Sequence, residues 1–305
     1  MTDQRPARPI VAVLSVSYGS AGEIATMLDS VRDATDHPTL LAVADNLPSQ
    51  AGTEDAVRVA GGGYTALPSN PGYGAAINAL VRSLPTSVEW IVITNPDVVF
   101  HAGAIDAMLH EGDTQVDIAA VGPLIRDEEG ATYPSARSVP SLRTGIGHAL
   151  FSGVWPSNPW TARYHRIEDY DHVRDAGWLS GSCLLVRRSA FEQIGGFDEE
   201  FFMYFEDVDL GYRFGRAGWR NRFLPDAEVT HTGGHSTAGE SEAMIGAHHD
   251  SAERFIQKKY AGTLLWPVRA CLLLGLRVRS IFAKRRARGF VSGRSAGADR
   301  RRSRS

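Results

Sequence analysis

The sequence predicts an α/β protein, an open and mostly parallel sheet with helices on both faces, followed by C-terminal helices. Three observations predict it. Residues 10–16, 40–44 and 90–94 are apolar almost throughout, as strands buried on both faces must be, and 64–67 is a shorter run of the same kind. Helical patterns alternate with these runs, as where Ile24, Met27, Leu28 and Val31 recur with the helical period. Polar or turn residues close each run, where an open sheet of this type places its ligand contacts.

In chain order, the first run ends in Ser17-Tyr18-Gly19-Ser20, a turn into the first helix. The second is closed by Asp45-Asn46, and the third is followed by Asn70-Pro71-Gly72-Tyr73-Gly74, which opens a helix over 74–84. The fourth ends at Asn95-Pro96, where proline removes a backbone donor and forces a turn. Beyond a strand at 119–122 the regularity weakens. Residues 130–175 are rich in Pro, Ser, aromatic and basic residues and read as long loops with short helices. Loops of that length in a compact domain usually carry function. A strand returns at 182–187, then a short helix at 189–194 and a helix near Glu206, and a last strand at 227–230 ends at His231. Helical patterns follow over 243–260 and, interrupted by Arg269, Arg277 and Arg279, over 264–282. The expected organisation is a disordered start over 1–8, a catalytic domain over 9–240, helices over 241–290 and a disordered basic tail over 291–305.

Net charge is −3 over 305 residues, unevenly spread. Residues 277–305 hold eleven Lys or Arg and one acid, Asp299, which leaves the preceding 276 residues at −13. A basic tail on an acidic body suits an anionic partner, a membrane surface or a nucleic acid. The apolar run before it favours the membrane, and no nucleic-acid partner is expected. That run never reaches the ~20 apolar residues that span a bilayer, so it is expected to lie in the interface. The other reading is a helix that covers the core. Two cysteines, Cys183 and Cys271, lack metal-type spacing, which argues against a disulfide framework and a zinc site and fits a reducing cytosol. Residues 1–9 have no apolar stretch of the signal-peptide kind.

The chemistry concentrates at the strand ends and after the aromatic run Phe201-Phe-Met-Tyr-Phe205. Glu206, Asp207 and Asp209 follow that run at a helix start. Carboxylates against apolar walls at a helix N-terminus have tuned acidity, which a general base needs. Asp209 stands four residues before Arg213, the spacing of a helical ion pair, and is read as structural. Glu206 and Asp207 remain, with helix capping as the plainer reading, and Asp207 is the better base. Asp97, aimed outwards by Pro96, can hold Mg²⁺ or Mn²⁺ together with diphosphate oxygens, although Asn-Pro-Asp is also a good turn. His231 can complete such a site, or be a structural histidine. Asp45 with Asn46 suits a ribose hydroxyl or a base imide, and equally an Asx turn. The 70–74 turn lets backbone approach a ligand at a helix N-terminus. It has the spacing of neither a P-loop nor a dinucleotide fingerprint, so neither an NTPase nor a dehydrogenase is supported. A nucleotidyltransferase would need a Gly-rich phosphate loop after Val16, which is lacking.

Taken in order, several motifs resemble those of glycosyltransferase family 2, the inverting GT-A enzymes, over about residues 10–290. They are Ser17-Tyr18, Asp45-Asn46, Asn70-Pro-Gly-Tyr-Gly-Ala-Ala-Ile-Asn78, Asn95-Pro-Asp97, Gly177-Trp-Leu-Ser-Gly181, Gly195-Gly-Phe-Asp-Glu199 with Phe201-Phe-Met-Tyr-Phe-Glu-Asp207, and His231. The resemblance implies a Rossmann-like GT-A fold. Within the family, the chain is similar to actinobacterial rhamnosyltransferases. That implies transfer of L-rhamnose from dTDP-L-rhamnose to N-acetylglucosaminyl-diphospho-polyprenol, in making the cell-wall arabinogalactan linker. The enzyme would be peripheral, at the cytoplasmic face of the cell membrane, with a homo-oligomer left open. The resemblance further implies Asp207 as general base, with Mg²⁺ or Mn²⁺ on Asp97 and His231. Ser17, Tyr18, Asp45, Asn46, Asn70, Gly72, Tyr73, Asn78, Asn95 and Asp97 would surround the nucleotide sugar. Trp178, Ser180, Gly181 and Glu206 would surround the acceptor. Two departures stand out. Asn95 replaces the first acid of the usual Asp-X-Asp motif, and Ser49-Gln-Ala-Gly-Thr53 follows the family's Ser-X-Asp-Gly only loosely. Another sugar or acceptor within the family is the near alternative. A non-catalytic nucleotide-sugar-binding module is the distant one, and it has no need to retain both Asp97 and Asp207.

Overall fold

The computed structural model describes residues 11–140, 169–233 and 242–277. The two segments expected to be disordered, the loop residues 141–168 and the basic run after 277 lie outside the described residues.

The elements run β1 (Val11–Ser17), α1 (Ala21–Ala34), β2 (Thr39–Asp45), α2 (Thr53–Val59), β3 (Gly63–Ala66), α3 (Tyr73–Ser83), β4 (Trp90–Thr94), β5 (Val98–Phe100), α4 (Ala104–Thr114) and β6 (Ile118–Arg126). Short strands β7 (Thr132–Tyr133), β8 (Ala136–Arg137), β9 (Arg174–Ala176) and β10 (Trp178–Leu179) follow. Then come β11 (Cys183–Arg187), α5 (Arg188–Gln193), α6 (Glu206–Arg216), β12 (Arg220–His231) and α7 (Glu242–Lys259).

The main sheet has the order β3-β2-β1-β4-β11-β6-β12-β5. β1, β2, β3 and β4 are mutually parallel, and β6 is parallel to β12. β11 runs antiparallel between β4 and β6, and β5 antiparallel to β12. Alternate side chains of each strand serve two cores. Ala12, Leu14 and Val16 of β1 pack with Ile77 and Leu80 of α3 and with Leu210 and Phe214 of α6. Val11 and Val13 pack with Ile24 and Met27 of α1 and Ile105 and Met108 of α4.

Elements α2, β5 and α4 go beyond the sequence expectation, and the described part of 130–175, expected as loops with short helices, holds the short strands β7, β8 and β9, too brief to show a period. β5 has three residues, too few for a period. α4 carries Gly112 within it, a poor helix residue, because Trp90 fills the space: a Cβ there would lie 2.6 Å from the indole. β12 is longer than expected, since Arg220 and Arg222 turn outwards into ion pairs with Asp175 and Glu111 while Phe223 and Leu224 are buried.

The chain divides into two compact units, and the aromatic run 201–205 groups with the C-terminal one. Within that unit Arg254 and Lys258 lie over the Phe201 ring, Phe205 packs on Phe255, and the Ser251 hydroxyl donates to the Met203 carbonyl at 2.7 Å. Tyr204 and Phe205 both take left-handed backbone, φ 66° and 64°, which turns the chain sharply before Glu206. A 3₁₀ turn, Thr263–Leu265, leads into a helix over 266–277. Leu264, Trp266 and Leu274 of this segment are 93, 62 and 66 % exposed. No helix among the described residues is long and apolar enough to cross a membrane.

Candidate active site

The carboxyl edge of the parallel strands gathers the predicted residues of the first unit. The register sets Ser17 beside Asp45 and Ser15 beside Thr94, so the ends of β1, β2 and β4 align. β11 enters the same edge from the opposite direction, with Cys183 beside Thr94, and so brings Gly181 and Ser182 to Asn95, whose N–H donates to the Ser182 carbonyl at 2.8 Å.

Asp97 and His231 meet through backbone pairing. β5 pairs with β12 so that Val98 faces His231, and the Thr232 N–H donates to the Asp97 carbonyl at 2.9 Å. His231 Nε2 then stands 3.1 Å from Asp97 Oδ1 and 3.3 Å from Asn95 Nδ2. One nitrogen cannot serve both neighbours, because Asp97 requires it to donate and the Asn95 amide requires it to accept. A cation shared by Asp97 and the Nε2 lone pair removes the conflict. Adjacent ligands of an octahedral ion with ~2.1 Å bonds stand ~3 Å apart, which is the spacing this pair already has. Gly233 keeps the approach open, since a Cβ there would lie 3.1 Å from the imidazole and 3.5 Å from the Asp97 carboxylate. The pair therefore fits a divalent ion. Among the described residues no third His, Cys, Asp or Glu joins it, so oxygens of a diphosphate and water would complete the shell. The edge of the Tyr133 ring flanks the imidazole, centroids 6.2 Å apart.

At the nucleotide end, Asp45 is buried and locked in an Asx turn: its carboxylate accepts from the Leu47 N–H at 3.0 Å and the Tyr64 hydroxyl at 3.0 Å. The phenol of Tyr64 is pushed up to about 12 by burial and by that carboxylate. Asn46 beside it is buried, and among the described residues its Oδ1 has no hydrogen-bond partner, while Nδ2 reaches the Gly72 carbonyl at 3.4 Å. The Ser17 hydroxyl pairs with Thr53 at 3.1 Å, and Tyr18 is exposed. Asn70 and Gly72 both have positive φ, 44° and 96°, which sets the turn before α3.

Asn78 is held by the protein itself. Its amide Oδ1 accepts from the Phe197 N–H at 3.0 Å, and Nδ2 donates to the Phe197 carbonyl at 2.9 Å and to Glu199 at 3.0 Å. Buried, with both amide hydrogens taken, it ties α3 to the 195–199 turn.

Asp207 and Glu206 open α6. Asp207 accepts from the Gly181 N–H at 3.0 Å and the Val208 N–H at 2.7 Å. Burial raises both carboxyls. Glu206 goes up to about 8, through burial first and the Asp207 charge second, and among the described residues its buried Oε2 has no hydrogen-bond partner. Asp207 is raised by burial too, yet the two amides and the charge of Arg137 pull it back. Glu206 therefore keeps its proton at neutral pH, while the two amide donors favour the charged form of Asp207. Tyr73 donates from its hydroxyl to the Gly181 carbonyl at 3.0 Å. Its phenol is held well above its usual range, by burial first and then by the charges of Glu206, Cys183, Asp207 and Asp97. Asp209, as expected, is a buried partner of Arg213 at 2.6 Å.

The acceptor-side loop is mostly self-satisfied. The Trp178 indole N–H donates to the Ser138 carbonyl at 3.1 Å, and the Ser180 hydroxyl donates to Ser182 at 3.1 Å. Gly233, Tyr133 and Arg137 were missed. The Gly-Gly after His231 was the available signal for the first, and the other two had none.

This architecture is that of the GT-A glycosyltransferases. The chain belongs to the glycosyltransferase like family 2, whose sequence profile matches residues 6–246. It is 41 % identical over 304 residues to the N-acetylglucosaminyl-diphospho-decaprenol L-rhamnosyltransferase of Mycobacterium tuberculosis, covering 93 % of this chain and 99 % of that one. To the rhamnosyltransferase WbbL of Escherichia coli K12 it is 26 % identical over 258 residues, covering 82 and 94 %. The mannosyltransferase PcManGT from Pyrobaculum calidifontis, solved with GDP-Man and Mn²⁺, shares the fold with TM-score 0.57 at 18 % identity, covering 95 % of this chain and 76 % of that one.

Proposed function

We propose that the protein is an inverting, metal-dependent rhamnosyltransferase moving L-rhamnose from dTDP-L-rhamnose to N-acetylglucosaminyl-diphospho-polyprenol, a step of arabinogalactan linker synthesis. The observation that carries this reading is the 41 % identity over 93 % of the chain to a relative named for that sugar and that acceptor. dTDP as the donor nucleotide rests on the family resemblance.

Asp207 takes the proton from the acceptor hydroxyl. That oxygen bonds to the anomeric carbon as the bond to the diphosphate breaks, its electron pair leaving with dTDP, so one displacement inverts the centre. Asp97 and His231 would hold Mg²⁺ or Mn²⁺, which neutralises charge on the departing diphosphate. The unpartnered Asn46 Oδ1 offers an acceptor to the nucleotide base. Protonated Glu206 offers a donor to the acceptor sugar. The exposed Leu264, Trp266 and Leu274, together with the basic residues after 276, would hold the enzyme at the cytoplasmic face of the membrane as a peripheral protein.

The test is transfer by the purified full chain, with Mg²⁺ or Mn²⁺, to a short-chain N-acetylglucosaminyl-diphospho-lipid from a panel of nucleotide sugars. The expected product carries rhamnose, from dTDP-rhamnose alone. Turnover of a different donor, or none with this acceptor, overturns the assignment.

A further inference from the structure

We infer that Arg137 binds the diphosphate of the lipid-linked acceptor, an inference that rests on the acceptor reading above. Arg137 lies on β8, whose partner in register is Trp178 of β10. The Gly177 N–H donates to the Arg137 carbonyl at 2.8 Å, and the Ser180 N–H to the Ser135 carbonyl at 2.7 Å. This ribbon is pressed onto α6, because a Cβ at Gly211 would lie 2.7 Å from the Trp178 backbone. Its continuation supplies the Gly181 N–H that holds Asp207. One ribbon therefore carries both Arg137 and the amide that holds the base.

The guanidinium is under-used. Its Nε donates to the Pro134 carbonyl at 3.0 Å, and among the described residues neither terminal nitrogen has a partner. Arg126, Arg213 and Arg222, by contrast, are each paired with an acid. The charge of Arg137 is felt at Asp207 although no ion pair joins them. An open arginine fork matches phosphate oxygens in a bidentate way that lysine cannot. The position suits the acceptor. The attacked hydroxyl and the diphosphate-bearing carbon belong to one sugar ring, so the group that grips the diphosphate must stand about a ring's width from the base. The donor diphosphate belongs at Asp97 and His231, on other strand ends.

The test compares parent, Arg137→Gln and Arg137→Lys on two acceptors, the diphospho-lipid and an alkyl N-acetylglucosaminide of equal chain length without phosphate. Geranyl diphosphate binding is measured alongside. Arg137→Gln should lose about 10- to 100-fold in kcat/KM for the diphospho acceptor, mainly through acceptor KM. It should weaken geranyl diphosphate binding similarly and leave the donor KM unchanged, with a clearly smaller loss on the alkyl acceptor, and Arg137→Lys should recover only part. Equal loss on both acceptors with a shifted acid limb of the pH profile would assign Arg137 to Asp207 instead. A raised donor KM would move it to the donor diphosphate. Unchanged geranyl diphosphate binding would overturn the inference outright. If the parent fails on the diphospho acceptor while still binding geranyl diphosphate through Arg137, the acceptor reading falls and the anion site stands.

Discussion

Replacing Glu206 by Gln should flatten the pH dependence of stability, and the burial of the carboxyl sets the size. In the fold the group titrates at about 8, against 4.5 for an ordinary glutamate. Between those values the unfolded chain has released its proton and the folded chain has kept it. Native stability is thus undiminished below the window, falls as pH rises through it, and settles at the lower level above. Each pH unit is worth ~1.4 kcal/mol, so on the order of 3 kcal/mol is lost between about pH 5 and pH 7. Glutamine cannot ionise and escapes this loss. Its amide, however, places a donor where Oε2 has no partner, which costs ~1–3 kcal/mol at every pH. The variant should therefore melt below the parent near pH 5 and level with or above it near pH 7. With ~2–4 °C per kcal/mol for a chain approaching this size, the difference in Tm should move by roughly 6–12 °C in the variant's favour. Calorimetry across that range at fixed ionic strength measures it. Parallel Tm curves for the two proteins would show that Glu206 does not carry the proton.

Four further outcomes follow from the same geometry. Asp207→Asn should lower turnover by ~10²–10⁴ with donor binding retained, because the amide keeps the shape but takes no proton; near-normal turnover in steady-state assays would move the role to Glu206. Asp97→Ala should weaken binding of the dTDP–metal complex, with His231→Ala acting less strongly and chelator reproducing the effect on the parent; calorimetric titration indifferent to chelator would refute the metal site. Gly233→Ala should weaken metal-dependent donor binding without lowering Tm, since its Cβ would crowd the imidazole from 3.1 Å. Leu264→Ser with Trp266→Ser should shift the protein from anionic vesicles to the supernatant in sedimentation, and added salt should release part of the parent.

Much of the sheet was legible because its strands are apolar on both faces and each ends in a polar turn. Asp207 was legible for a local reason too, an acid at a helix start behind five residues of which four are aromatic. What escaped is what forms only between distant segments. Whether Asp45 faces a ligand or a turn depends on Tyr64, from the neighbouring strand. Asn78 sits inside a motif that suggests binding, yet its partners are Phe197 and Glu199, from a loop more than a hundred residues on. Arg137 lies in a Pro- and Ser-rich stretch with no period, and its neighbour Trp178 is set by strand pairing alone. The Gly181 amide that bonds Asp207 and not Glu206 was equally hidden, since it arrives from the turn between β10 and β11.

The insertion of β11 between β4 and β6 bears on how the protein is made. The strands β1 to β4 can associate while the ribosome is still at work, since their partners are near in sequence. The seam at β4 must wait for residues 183–187, and His231 meets Asp97 across 134 residues of chain. Contacts of such sequence separation form late and slowly. A nascent or prematurely terminated chain thus presents a half-sheet that has Asp97 but neither its imidazole partner nor the Asp207 helix. In such a fragment the proposed metal pair and the proposed base are still apart, so the candidate site exists only once the chain has passed His231.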